Sequence, residues 1–213
     1  MSILIYAESA EGKIKKVALE LASYAKKVAA SMGTTVTAVT INNADNSALA
    51  VYGVDKVLTV TNDKLNNFSA KAYADVIVQA AKKEGTQIVL VSSSTNSLYL
   101  APLVAVALEA GYVSNVVALP ESTSPFQVKR TVFSNKAFNV TEIATPIKVL
   151  GIAKNSFGLV ESASTLAEES FAPTLNDADF GIKVESVEKV SGKVTIADAE
   201  IVVSAGRGMK GPE

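Results

Sequence analysis

The side chains on which most enzymes rely for catalysis are missing from this sequence. It contains no His, Cys or Trp, which excludes Ser-His-Asp relays, thiolate nucleophiles, and zinc or haem ligation by imidazole or thiolate. Asp, Glu, Lys and Tyr remain as proton carriers, but their ordinary pKa values lie several units from 7 and would need burial to shift them. We therefore predict no catalytic residue.

A Gly-Arg-Gly motif near the end of the sequence is the first of two candidate phosphate-binding motifs. Gly206, Arg207 and Gly208 follow an apolar run over residues 200–204 that predicts a strand. Without Cβ atoms, the two glycines let backbone N–H groups approach an anion, and Arg207 adds a forked charge. The alternative is a flexible turn with a solvated arginine, because so short a motif is a weak signal.

The second candidate is the hydroxyl-rich loop Ser92–Ser97, between an apolar run that predicts a strand and a pattern that predicts a helix. Open α/β sheets bind ligands at the carboxyl ends of their strands, and hydroxyl and N–H groups at a helix N-terminus can hold a phosphate. The alternative is helix capping by Ser94, Thr95 or Asn96, which explains the same residue types.

Paired acidic residues are the remaining candidates, for a metal ion. Glu168 and Glu169, and then Asp177 and Asp179, fall within residues 154–179, a stretch with little periodicity. Hard cations need several oxygen ligands held together, and this stretch has no ligand-spaced loop. We predict a surface connection there and no metal site.

Strand-like and helix-like patterns alternate up to residue 119. Short apolar or β-branched runs predict strands, and apolar residues at i, i+3, i+4 and i+7 predict helices. The predicted strands cover residues 3–7, 34–41, 57–60, 87–91 and 115–119, and the predicted helices cover residues 13–32, 46–52, 69–83 and 98–110. Because such alternation with short turns requires parallel crossovers, we predict an α/β fold with a doubly wound, mostly parallel, Rossmann-like sheet.

The pattern changes after Pro120. Three strand-like runs with no helix between them follow, over residues 126–134, 137–144 and 147–153. These runs predict an additional antiparallel segment, and residues 182–190 alternate like an edge strand. A strand that enters a Gly-rich loop, as predicted over residues 200–204, normally opens a new α/β domain. We therefore predict a domain of residues 1–195, and the first strand and Gly-Arg-Gly loop of a second domain over residues 196–213.

The charge balance argues against nucleic acid and membrane partners. The 20 Lys and Arg residues against 21 Asp and Glu residues give a formal net charge of −1, and the basic residues are scattered. The most apolar stretch, residues 98–108, is interrupted by Pro102 and is shorter than the ~20 residues that a bilayer needs. The opening residues MSILIYAES have no basic start and no cleavage site, so we predict no targeting peptide and a cytoplasmic location.

Several segments together resemble the alpha subunit of electron transfer flavoproteins. Residues 3–8 resemble that family's opening strand, and residues 92–110 are similar to its small-residue loop and the helix that follows. Residues 130–133 and 135–137 resemble its antiparallel hairpin. The most specific resemblance lies in residues 199–210, where Ser-Ala-Gly-Arg-Gly is similar to the Ser-Gly-Gly-Arg-Gly entry to the family's flavin domain.

The resemblance implies an electron carrier rather than an enzyme. In the family, FAD is held mainly by the C-terminal domain of the alpha subunit, so the resemblance implies that Arg207, with Gly206 and Gly208, contacts FAD in the full-length heterodimer and that this fragment holds no FAD. The N-terminal domain docks on the beta subunit as a scaffold. The resemblance further implies that the whole carrier passes electrons from dehydrogenases, such as the acyl-CoA dehydrogenases of fatty acid β-oxidation, to a quinone-linked oxidoreductase of the respiratory chain.

Two questions stay open from the sequence. Phe126, Phe133 and Phe138 either contribute to the interface with a beta subunit or close the protein's own core. A small nucleotide-binding α/β protein that uses Ser92–Ser97 is the alternative function, and in that case residues 205–213 are only a tail.

Overall fold

The computed structural model describes residues 2–10, 12–182, 184–186, 196, 199, 201–206 and 208–209. It divides into a first unit, residues 1–182, and a second unit, residues 183–213. The helices are α1 (Lys16–Met32), α2 (Ser47–Val51), α3 (Ala70–Glu84) and α4 (Thr95–Ala107), with 3-10 turns at Asp63–Leu65 and Asp177–Phe180. The strands are β1 (Ser2–Tyr6), β2 (Ser9–Ala10), β3 (Lys13–Ile14), β4 (Thr35–Ile41), β5 (Lys56–Val60), β6 (Ile88–Ser92), β7 (Gly111–Val116), β8 (Ser122–Thr123), β9 (Phe126–Val132), β10 (Ala137–Glu142), β11 (Lys148–Ile152) and β12 (Ala167–Ser170).

The first unit is built on one twisted sheet with the strand order β10-β9-β7-β11-β6-β1-β4-β5-β12. The seven strands β7-β11-β6-β1-β4-β5-β12, in this spatial order, all pair in parallel with their neighbours in this series. At the β7 side, β8, β9 and β10 add antiparallel pairs. The predicted fold class, a doubly wound and mostly parallel α/β sheet with an antiparallel segment, is therefore confirmed.

The third run of the predicted antiparallel segment is in fact a central parallel strand. β11 lies between β6 and β7 and pairs in parallel with both. Four of its five residues are buried, as a strand covered on both faces requires. The chain makes the antiparallel β9–β10 pair first and then returns into the middle of the sheet. Spatial order of this kind is not encoded in the pattern of any one strand.

Two further strands differ from the sequence prediction. β7 begins at Gly111, four residues before the predicted start at residue 115, and its pairing with β11 shifts register next to Asn115, which has a φ of 56°. Such a bulge breaks the alternation from which strands are predicted. β12 lies in the stretch predicted to be an irregular connection; its four residues are polar or small and are mostly exposed.

The core consists of two apolar layers, one on each face of the sheet. Successive residues of β1 point to opposite faces, so Ile3 and Ile5 pack in the layer under α1, while Leu4 packs in the layer under α3 and α4. Left-handed glycines end two of these helices, Gly33 after α1 and Gly85 after α3, as the sequence predicts. Across the described residues, we find no helix with both the length and the apolar character needed to span a membrane.

Ion pairs hold β12 against the edge of β5. Lys56 Nζ lies 2.7 Å from a carboxylate oxygen of Glu169 and 2.8 Å from one of Glu84, and Lys83 Nζ lies 2.8 Å from the other Glu169 oxygen. Hydrogen bonds from Lys56 and Lys83 lower the pKa of Glu169 to about 2. The charges thus fix an edge strand that has little apolar surface of its own.

The second unit contains no strand among its described residues. The side chains of Ile201 and Val203 are 84% and 93% exposed, and a strand needs a neighbouring strand for its backbone hydrogen bonds. The strand predicted over residues 200–204 is therefore wrong for residues 201–204, while Glu200 lies outside the described residues.

Two other predictions concern residues 182–195, at the end of the first unit and the start of the second. The edge strand predicted over residues 182–190 does not form at residues 182 and 184–186, and its other residues lie outside the described ones. The predicted division of the chain after residue 195 stays a prediction, because residues 187–195 also lie outside the described part.

Candidate functional site

The strand order creates a switch point between β1 and β6 at the carboxyl edge of the sheet. From β1 the chain passes through α1 to β4 on one side, and it later crosses through α3 to β6 on the other side. Open α/β sheets bind their ligands in the crevice at such a point. Glu8 lies just after β1, and the loop Ser92–Ser97 begins at the last residue of β6. These residues are therefore the first candidates for a site.

A carboxylate of the chain itself occupies this crevice. Glu8 Oε1 accepts hydrogen bonds from the hydroxyls of Ser92, Ser94 and Ser97, the last at 2.9 Å. Lys15 Nζ lies 3.5 Å from Glu8 Oε2, and Glu8 is only 3% exposed. The hydroxyls that could have received a phosphate are therefore directed at an internal anion.

The same loop also caps α4. Ser94 is the N-cap residue, and its hydroxyl oxygen accepts a hydrogen bond from the N–H of Ser97 at 3.1 Å. The capping interpretation is thus confirmed for Ser94, and the helix begins at Thr95, three residues before the predicted start. Because the hydroxyl both accepts from Ser97 and donates to Glu8, one side chain orders the helix terminus and closes the crevice.

A second buried carboxylate shapes the loop that follows β11. Glu20 on α1 accepts the backbone N–H of Asn155 at 2.9 Å on Oε2, and those of Phe157 at 2.9 Å and Gly158 at 3.0 Å on Oε1. The Phe157 ring then packs edge-on against Tyr24 of the same helix, with ring centroids 5.5 Å apart. Successive backbone N–H groups of this kind bind anions in many proteins, and here the anion is again part of the chain.

The family follows from a match across most of this unit. Residues 3–176 match the family model described as "Electron transfer flavoprotein domain". The chain belongs to the electron transfer flavoprotein family. The resemblance seen in the sequence is therefore confirmed.

The names of individual relatives agree with this family assignment. The chain is 29% identical to "Electron transfer flavoprotein subunit alpha" of Syntrophomonas wolfei and 25% identical to the protein of the same name from Bacillus subtilis, over 98% and 99% of its length. It spans 66% of the length of both. It is also 26% identical to "Lactate dehydrogenase (NAD(+),ferredoxin) subunit LctC" of Acetobacterium woodii, over 98% of the chain and 51% of that protein.

The residues predicted to contact FAD in this electron transfer flavoprotein chain lie in the second unit. Gly206 and Gly208 are exposed, and among the described residues other than their chain neighbours no heavy atom lies within 4 Å of the position that a Cβ would take at either glycine. Arg207 between them lies outside the described residues. The roles of all three residues therefore stay predictions.

Three of the four acidic residues considered for a metal ion make ion pairs with lysines instead, whereas Glu168 is an exposed residue of β12. Glu169 pairs with Lys56 and Lys83, Asp177 pairs with Lys64 at 2.9 Å, and Asp179 pairs with Lys71 at 3.0 Å. In the part of the chain that the structure describes, no group of three or more such side chains could hold a metal ion.

The three phenylalanines of the antiparallel segment have different environments. Phe126 is buried in the core, so for this ring the core interpretation is correct. Phe133 and Phe138 are 81% and 65% exposed, so they do not close the core. The sequence could not separate these cases, because all three rings lie in or beside strand-like runs.

Proposed function

We propose that the chain is the N-terminal α/β domain of an electron transfer flavoprotein alpha subunit. In this proposal it belongs to a heterodimeric, FAD-containing carrier in the cytoplasm that passes electrons from dehydrogenases, such as acyl-CoA dehydrogenases, to a quinone-linked oxidoreductase of the respiratory chain. The chain has no substrate turnover of its own. The family match over residues 3–176 and relatives named as alpha subunits support this assignment.

The Glu8 cluster is the observation that carries the scaffold role. A nucleotide phosphate that entered the crevice at β1 and β6 would meet the buried carboxylate of Glu8. The serine hydroxyls that could donate to the phosphate already donate to Glu8. This arrangement supports a scaffold over the alternative, a small nucleotide-binding protein that uses Ser92–Ser97.

The cofactor of the whole carrier would be held by the region around Arg207. The absence of described heavy atoms other than chain neighbours around the Cβ positions of Gly206 and Gly208 fits the close approach of a pyrophosphate to the backbone, and Arg207 would supply a forked positive charge. FAD supplies the reversible uptake of electrons, which no side chain of this sequence offers. We expect this fragment alone to hold no FAD, because a single loop provides only one side of a pocket.

Arg207→Ala in the full-length heterodimer is expected to weaken FAD binding about ten- to a hundredfold, since a charge-assisted hydrogen bond is worth roughly 1.5–3 kcal/mol. Arg207→Lys should lose less, because a lysine keeps the charge but not the fork. Flavin fluorescence during titration of the apoprotein with FAD measures both affinities. Unchanged FAD affinity in Arg207→Ala would return the motif to its interpretation as a flexible turn.

The proposed surface for the beta subunit is the β9–β10 hairpin, residues 126–142. Its tip and its outer strand expose Phe133, Phe138 and Val140, and β10 is the last strand at its side of the sheet among the described residues. Phe133 has a φ of 51°, a conformation that costs a non-glycine residue about 1 kcal/mol or more. An exposed ring held at that cost supports a binding role.

Phe133→Gly is expected to separate binding from folding. Glycine adopts a positive φ without strain, so the variant should melt at the same temperature as the unchanged chain or higher. Its affinity for the co-produced beta subunit should nevertheless fall about tenfold or more, as for an aromatic anchor of an interface. Thermal melts and titration of the labelled beta subunit give the two values.

Leu159→Ala is the matched control, because Leu159 is also an exposed apolar residue but lies outside the hairpin. It should bind the beta subunit normally. Hydrogen exchange of residues 126–142 should slow on heterodimer formation, and unchanged exchange there would place the interface elsewhere.

A further inference from the structure

A second group of polar side chains lies beside the closed crevice along the same edge of the sheet. It surrounds Gly151 on β11. A Cβ at this glycine would lie 3.4 Å from Tyr112 Oη, 3.7 Å from Ser93 Oγ and 3.5 Å from Ser114 Cα. The absence of a side chain at Gly151 thus leaves room between two hydroxyl groups that belong to different strands or their ends.

Arg130 on β9 brings a positive charge to this group. Its Nη2 donates to Ser114 Oγ at 3.5 Å, which is a long contact, and its Nε is buried without a hydrogen-bond partner among the described residues. No ion pair joins Arg130 to an acidic side chain within the described ranges, in contrast to Lys56 and Lys83, which pair with Glu169 of β12, and to Lys64, which pairs with Asp177. A half-buried guanidinium with unused N–H donors costs folding free energy unless an anion accepts hydrogen bonds from it.

The two hydroxyls beside Gly151 can also donate. Ser93 Oγ is buried and has no partner among the described residues. Burial raises the pKa of Tyr112, with Arg130 and Ser114 opposing part of this change, so the phenol remains protonated at neutral pH. Tyr112 Oη and Ser93 Oγ thus flank the open position at Gly151 with Arg130 near Tyr112, and among the described residues no acidic side chain pairs with this guanidinium.

We propose that Arg130, Tyr112 and Ser93 form a binding site for a carboxylate, and that this carboxylate is an acidic side chain of the beta subunit. The planar fork of an arginine matches a carboxylate with two parallel hydrogen bonds. The site rests on the proposed function, because Arg130 lies on the strand that leads directly into the hairpin with the exposed Phe133 and Phe138. Arginine and tyrosine are also the residue types that most often anchor interfaces.

The test uses Arg130→Ala and Arg130→Lys in the chain co-produced with its beta subunit. Removal of the guanidinium should weaken the heterodimer about tenfold or more, since truncating one partner of a buried charge pair has large effects. Arg130→Lys should recover only part of this loss. Added NaCl should weaken the unchanged heterodimer more steeply than the Arg130→Ala heterodimer.

Lys27→Ala is the matched control, because Lys27 is an exposed cation that lies on α1, outside the hairpin. It should leave the affinity unchanged. The Arg130→Lys heterodimer should also give a zero-length carbodiimide crosslink between position 130 and an Asp or Glu of the beta subunit, which a merely structural role of Arg130 would not produce. Thermal melts of each isolated variant show whether it folds.

The possible outcomes separate this proposal from the proposed function. A heterodimer that forms with unchanged affinity in Arg130→Ala overturns the carboxylate site but leaves the proposed function intact. Failure of the unchanged chain to bind the beta subunit overturns both. In a third possible result, inorganic phosphate raises the melting temperature of the unchanged chain but not that of Arg130→Ala, and both chains bind the beta subunit equally. This result would assign the site to a free anion and overturn the proposal that a carboxylate of the beta subunit occupies it.

Discussion

Replacement of Glu20 by alanine is expected to lower the free energy of unfolding by about 3–4 kcal/mol, because three backbone N–H groups lose a charged acceptor at once. Those N–H groups belong to Asn155, Phe157 and Gly158, and Glu20 itself is 5% exposed. Water can reach the outer part of the loop, so the loss should be smaller than the sum of three buried hydrogen bonds. Urea unfolding followed by circular dichroism measures it.

Two variants test whether the effect comes from the loop. Glu20→Gln keeps one acceptor oxygen and should cost roughly half as much as Glu20→Ala, in line with the weaker hydrogen bonds of neutral groups. Glu161→Ala removes an exposed acidic residue and should change stability by no more than about 0.5 kcal/mol. Hydrogen exchange of residues 155–158 should accelerate in Glu20→Ala before the rest of the unit does. Equal stability of Glu20→Ala and Glu161→Ala would contradict this role.

The elements that the sequence predicts well are those whose residues carry a strong local pattern. α1 and α3 have a continuous apolar face and a glycine stop, and their bounds differ from the prediction by at most a few residues. The sequence predicts β11 as a strand but with the wrong, antiparallel placement, and it does not predict β12 at all, because the positions of both depend on distant strands. β11 has the apolar pattern of any buried strand, whereas β12 is held by Lys56 and Lys83 rather than by apolar residues.

The candidate site shows the same limit. The sequence points to Ser92–Ser97 as a polar loop at the right edge of the sheet, and it predicts the capping role that Ser94 has. It does not show that Glu8 is the acceptor of these hydroxyls, because the two segments are 84 or more positions apart. A signal for Glu20 was present, since an acidic residue next to Leu21 and Tyr24 interrupts the buried face of α1. Arg130 carried no such signal, because strands often expose arginines.

The second large effect is expected at Glu8. Glu8→Ala removes the acceptor of the Ser92, Ser94 and Ser97 hydroxyls and leaves an empty polar space in a site that is closed to water, at a cost of about 3 kcal/mol. Glu8→Gln should cost less, about 1–2 kcal/mol: the amide oxygen can take the place of Oε1, but its NH2 group cannot accept from Lys15 Nζ, so the long Lys15 ion pair is lost. Urea unfolding gives both values.

The character of the space can be tested by chemical rescue. If the hydroxyls are arranged around a carboxylate, acetate should raise the melting temperature of Glu8→Ala and leave that of the unchanged chain the same, because only the variant has a vacant position for the anion. AMP and ATP should not stabilise the unchanged chain, since its own carboxylate blocks the approach of a phosphate. Stabilisation of the unchanged chain by AMP, lost in Ser94→Ala, would contradict the closed crevice and favour a nucleotide-binding protein. Loss of stability in Glu8→Ala without rescue by acetate would instead mean that Glu8 serves only to fill the core.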